Sequence, residues 1–185
     1  RGFKFLFCAY ALVMMLATSL GVSRRVDWTN KSLFLVLSTA DYHVHQTGQI
    51  ARARPQHSVI LTRSRYVSIL RDRGLDEVPM LTFSQLLGHA DLGSLGSAVR
   101  AFRRWRRDRE QDGHDIERGH ADYMFVLFCL SSVFESHRDD LDSVHMSAIR
   151  SYVFRAVPAE KIFLYQHGSM WEAPKLLNQV GIQCN

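Results

Sequence analysis

The sequence predicts an α/β domain of Rossmann-like, three-layer type with a mostly parallel sheet, preceded by an N-terminal hydrophobic helix. Three observations predict it. Residues 33–38 (LFLVLS), 58–62 (SVILT) and 161–165 (KIFLY) are short, continuous apolar runs, as expected of strands buried on both faces. Helical patterns lie between them, and strands separated by helices imply parallel pairing through right-handed crossovers. Residues 5–23 form a stretch without a single charge.

Length and composition agree. A chain of 185 residues, 46% hydrophobic and 22% charged, suits one domain of ordinary size and excludes a wholly disordered one. Three Cys exclude a disulfide-dense scaffold and a four-Cys zinc site.

Residues 5–23 (FLFCAYALVMMLATSLGVS) are flanked by Arg1 and Lys4 on one side and Arg24 and Arg25 on the other. At about 1.5 Å per residue such a helix crosses a hydrocarbon core of roughly 30 Å. Residues 1–25 are therefore read as a membrane anchor or a secretory signal. Residues 26–185 form the α/β domain. The expected localisation is a membrane, single-pass, in the secretory pathway if the source is eukaryotic. Asn30-Lys31-Ser32 is a glycosylation triplet just behind this run.

The elements then follow in order. Residues 33–38 make the first strand. A helix runs from about His43 to Arg54 and stops at Pro55. Residues 58–62 make the second strand. The helix at 65–73 closes on Gly74 as its C-terminal cap. Residues 78–83 make a third, weaker strand, with Pro79 tolerable at its start or at a sheet edge. Ser84 caps a short helix, and a long helix spans about 94–109. Residues 110–121 (EQDGHDIERGHA) read as a loop, 123–130 (YMFVLFCL) as a central strand, and 141–155 as a helix. Residues 161–165 make the last strand.

The net charge of +5 is concentrated in residues 100–109 (RAFRRWRRDR), which hold six Arg and one Asp. No nucleic-acid-binding signature accompanies this run. It reads as the solvated face of an amphipathic helix with Val99 and Phe102 turned inward, and nucleic acid is not an expected partner. An anionic membrane or donor is the other surface it would suit.

No Gly-x-Gly-x-x-Gly, phosphate-binding loop or Gly-x-Ser-x-Gly elbow occurs, so kinase and α/β-hydrolase readings drop out. In open parallel sheets, ligands gather beyond the carboxyl ends of the strands. That rule selects residues 39–48, 63–66 and 166–170. Asp41-Tyr42-His43-Val44-His45 resembles the metal-binding opening of amidohydrolases and related phosphoesterases. On an extended segment its two imidazoles would point the same way and share a divalent metal with Asp41. A metal-dependent hydrolase is one alternative function, and a non-catalytic membrane-tethered α/β module is another.

Residues 33–51 (LFLVLSTADYHVHQTGQIA), 58–66 (SVILTRSRY) and 161–169 (KIFLYQHGS) together resemble the first half of a glycosyltransferase of two-Rossmann-domain (GT-B) architecture. More narrowly they are similar to bacterial-type sialyltransferases and capsule polysialyltransferases. In those families a later strand ends in an acidic-acidic-Gly motif whose second acid is the general base. Gln166-His167-Gly168 stands there in this chain. The resemblance implies transfer of a sugar from a nucleotide donor to a glycan acceptor. It makes His167 the catalytic base and Thr39, Gln46, Gly168 and Ser169 the substrate-binding residues. It implies no cofactor beyond the donor itself, and a second nucleotide-binding domain.

Overall fold

The computed structural model describes residues 2–23, 25–37, 41–113, 115–146, 153 and 156–165; the side chains of residues 41–43 and 46 lie outside the description. The chain divides into two compact units. One comprises residues 1–26 and 84–136, the other residues 27–83 and 137–185.

The second unit is built on a five-stranded sheet: β1 (Lys31–Val36), β2 (Ser58–Thr62), β3 (Met80–Thr82), β4 (Leu141–Met146) and β5 (Ile162–Leu164). Every pairing is parallel, and the order is β3-β2-β1-β4-β5. The fold is therefore α/β and Rossmann-like. The helix α2 (Asp41–Ala53) links β1 to β2, and the short helix α3 (Val67–Leu70) lies between β2 and β3.

Side chains alternate across the sheet. On one face Phe34, Val36, Ile60 and Met80 form a buried cluster with Val44 and Ala51 of α2 and with Leu70 and Leu75. On the other, Leu33, Leu35, Val59, Leu61, Val144 and Met146 are buried. Burial on both faces is why β1 and β2 read as unbroken apolar runs. Thr62, also buried, satisfies its hydroxyl by donating to the Val36 carbonyl at 2.6 Å. Pro79 stands just outside the edge strand β3, where its missing N–H costs no ladder bond, and its carbonyl accepts from Ile60 N at 2.8 Å. Gly74 ends the segment after α3 with φ 76°, the left-handed conformation expected of a glycine cap.

The first unit is helical: α1 (Gly2–Ser19), α4 (Phe83–Leu87, whose first residue belongs to the other unit), α5 (Leu92–Gln111) and α6 (Arg118–His137). Asp91 caps α5, its carboxylate accepting from Ser94 N at 2.8 Å. Among the described residues, α1 is the one helix long and apolar enough to cross a membrane. The same test is passed by signal segments and by packed helices.

Four expectations are corrected. Residues 123–130 are not a strand; they lie inside the 20-residue helix α6. An apolar run of eight fits either conformation, and here the buried positions Ala121, Phe125, Cys129, Val133 recur every four residues. The loop expected at 110–121 shrinks accordingly, because α6 begins at Arg118. Residues 141–146 are not helical but form β4, flanked by two strands. Leu141 and Val144 are three apart and mimic a helical stripe, yet both are buried in a strand, where the register shift between Lys31 and Ser32 lets residues at this spacing share a face. Ser84 lies within α4 and is not its cap.

Candidate functional site

Because all five strands run parallel, their carboxyl ends share one edge, and the strand order reverses between β1 and β4. Thr39, His167, Gly168 and Ser169 follow β1 and β5 in sequence and lie outside the described residues. Position 46 is on α2. The string Asp41 to His45 is not extended but opens α2, and residues two apart on a helix do not face each other. The backbone is therefore not the extended one that a same-side pair of imidazoles assumes. His45 is exposed, with its Nε2 3.1 Å from Gln49 Nε2. Among the described residues, no group of three His, Cys, Asp or Glu is arranged to hold a metal.

What the structure brings together is a different set. The face of the sheet that α2 covers over β1 and β2 opens over β4 and β5 into a groove of about 670 Å³. Ile50 and Ala53 of α2, with Arg54 just after it, form one wall; Ser32, Ser143, His145 and Phe163 form the floor. The in-register partners Phe34, His145 and Phe163 come from three adjacent strands. Their rings stack, with centroids 4.4 Å and 4.9 Å apart and planes within 11° of parallel. Phe34 is fully buried, whereas Phe163 on the outer strand is 50% exposed.

A chain of hydrogen bonds runs along the same floor. Tyr165 Oη lies 2.6 Å from His145 Nδ1, and His145 Nε2 lies 2.9 Å from Ser143 Oγ. Ser143 donates to Ser32 Oγ at 2.9 Å, and Ser32 donates to Asp142 Oδ2 at 3.2 Å. Asp142 reaches this face because the β1–β4 register shifts between Lys31 and Ser32. Asp142 only accepts; it takes the Ser32 proton at 3.2 Å, and Ser143 reaches the same oxygen at 3.4 Å. His145 bridges the Ser143 and Tyr165 hydroxyls, one at each ring nitrogen. Burial pushes the His145 pKa down to about 4, against a smaller opposing pull from Asp142, and raises that of Tyr165.

The arrangement fixes the end of β5, immediately ahead of Gln166, and presents an aromatic shelf beside Asp142, Arg54 and Glu160. A Tyr165→Phe variant is expected to lose about 1 kcal/mol of stability through the missing hydrogen bond to His145. Urea unfolding checks this.

By sequence, His145 and Asp142 belong to a polar cluster with Glu135, His137, Asp139 and Asp140 that suits either a solvated loop and helix start or an active-site rim, while Ser32, Ser143 and Tyr165 are not singled out. The available signal was Ser143-Val144-His145, two polar residues one apart, which share a face on a strand. Reading residues 141–155 as a helix concealed it. No family model matches this chain, and no curated protein or solved structure matches it significantly.

Proposed function

We propose that this chain is the acceptor-side α/β half of a nucleotide-sugar-dependent glycosyltransferase, sialyltransferase-like in type, associated with a membrane through residues 5–23. The observation that carries the reading is the all-parallel sheet in the order β3-β2-β1-β4-β5. In such a sheet the chain leaves β1 and β5 at the same edge, and the segments holding Thr39, Gln46 and Gln166 to Ser169 follow those two strands in sequence. The reaction is a direct displacement. The acceptor oxygen bonds to the anomeric carbon as the bond from that carbon to the nucleotide phosphate oxygen breaks. The nucleotide leaves with the electron pair, and the acceptor proton passes to the His167 imidazole. Gly168 allows the backbone to approach a sugar, with Thr39, Gln46 and Ser169 orienting the acceptor hydroxyls. The metal-hydrolase alternative has lost the extended segment it required.

The test is transfer from a panel of labelled nucleotide sugars, CMP-sialic acid included, to oligosaccharide acceptors by the full-length membrane-associated protein. Transfer from one donor is expected, with His167→Ala slower by about 100-fold. A folded protein that transfers from none of them overturns the reading in favour of a non-catalytic module. Unchanged turnover in His167→Ala removes that residue from the chemistry.

A further inference from the structure

The helical unit carries a surface that the transferase reading does not use. The inner stripe of α1 is committed along nearly its whole length. The Lys4 ammonium sits 4.5 Å from the Phe102 ring centroid of α5 and 3.7 Å from the Asp122 carboxylate of α6. Phe7 meets Phe125 of α6 edge-on at 5.8 Å. Ala11 is fully buried, and Thr18 lies against Gly88. These positions follow the i, i+3/i+4, i+7 spacing of one helix face.

The opposite face is apolar and exposed. Phe5 is 75% exposed, Leu6 67%, Val13 61% and Leu16 59%. A continuous apolar stripe of this length is not left in water without a partner. Beside it, the arginine run of α5 flanks a cleft of about 650 Å³ lined by Lys4, Phe5, Cys8, Arg103, Arg106 and Arg107. Arg106 is also ion-paired with Glu110 at 2.6 Å. Exposed acyl-sized side chains and a row of guanidinium groups thus meet along one seam. That combination complements an anionic phospholipid, whose headgroup takes the arginines and whose chains take the apolar face.

We propose that this unit docks in the plane of an anionic phospholipid surface, with the outer face of α1 immersed and Arg103 and Arg107 at the level of the phosphates. A perpendicular, single-pass placement is disfavoured by the same contacts. To span alone, α1 would have to leave Phe102, Asp122 and Phe125; to span with them, it would carry the α5 arginines into hydrocarbon. The inference is independent of the transferase reading.

The experiment is co-sedimentation of the full chain with phosphatidylcholine vesicles, with and without phosphatidylserine, at low and high salt, followed by alkaline carbonate extraction. The expected result is binding to phosphatidylserine vesicles that weakens with salt, release by carbonate, and no further loss when inorganic phosphate replaces chloride at equal ionic strength. An Arg103→Gln/Arg107→Gln double variant should bind about 25-fold more weakly, roughly fivefold per arginine. Circular dichroism shows whether that variant is folded. Should it unfold, the salt dependence and carbonate release of the wild-type chain decide the matter. Carbonate resistance would establish a spanning helix and overturn the proposal. Equal binding to neutral vesicles, or a folded double variant that binds like wild type, would overturn it too.

Discussion

A Gly88→Ala variant is expected to destabilise the helical unit by about 3 kcal/mol, the upper end of what overpacking a tight contact costs. A methyl group at position 88 would lie 2.9 Å from the Met14 carbonyl oxygen and 3.1 Å from that of Gln85, and closer still to the Thr18 hydroxyl. Two of these three atoms are backbone, so no rotamer change relieves the overlap. Thr18 is itself held, donating to the Met14 carbonyl at 2.9 Å. The strain therefore moves α1 as a body and loosens its packing around Ala11 and Phe7. A Thr18→Ala/Gly88→Ala double variant should recover only part of the loss, because the Met14 carbonyl remains. Denaturant unfolding of the three variants tests this. A Gly88→Ala chain as stable as wild type would mean that α1 does not rest on this glycine, and the in-plane docking geometry would lose its foundation.

The same contact explains why the architecture was only half readable. β1 and β2 announce themselves because strands buried on both faces read as near-continuous apolar runs, β5 does so by a short apolar run although it is an edge strand with Phe163 half exposed, and α2 and the Gly74 cap carry ordinary local signals. Residues 5–23 announce a helix just as loudly. What they do not announce is its neighbour. Gly88 and the sparse stripe of Phe102 and Phe125 lie about seventy or more positions away in sequence, and no local pattern reports a pairing at that distance. The exchange of helix for strand in residues 118–146 has a related cause. An apolar octet carries no period of its own, and α6 and β4 are told apart by what packs on them.

The groove escaped for a different reason. Its members come from β1, β4 and the residue after β5, and only the parallel register brings Ser32 beside Ser143 and Phe34 beside His145. Expectation had gathered its candidates at the ends of strands, where a ligand rule points. The described polar chain instead begins near the amino ends of β1 and β4, at Ser32 and Asp142, and reaches the carboxyl end through Tyr165. The acids around His145 suit a solvated loop and a helix N-terminus, which hides the ring's place in a strand. In the fold it is a half-buried ring held between two phenylalanines.

That burial yields the second large effect. Between about pH 6.5 and pH 4 the α/β unit is expected to lose about 2 kcal/mol of stability on account of His145 alone. The imidazole titrates near its ordinary 6.5 when unfolded and near 4 when folded. Across that window the unfolded chain binds the proton and the folded chain does not, so stability is complete above 6.5 and falls as the pH drops toward 4. The full difference corresponds to about 3 kcal/mol. Solvent at the open side of the groove screens part of it. Protonation also makes both ring nitrogens donors, so whichever neighbouring hydroxyl donates to the neutral ring must turn away. His145→Phe separates the terms. The ring still stacks between Phe34 and Phe163, but it has no proton to gain. It should be less stable than wild type near neutrality by about 1–2 kcal/mol, for the two lost hydrogen bonds, and show a shallower acid dependence. The two stability curves therefore converge toward pH 4. Urea titrations of both proteins across the range measure the gap, and curves that stay parallel would show that His145 is not held neutral by the groove.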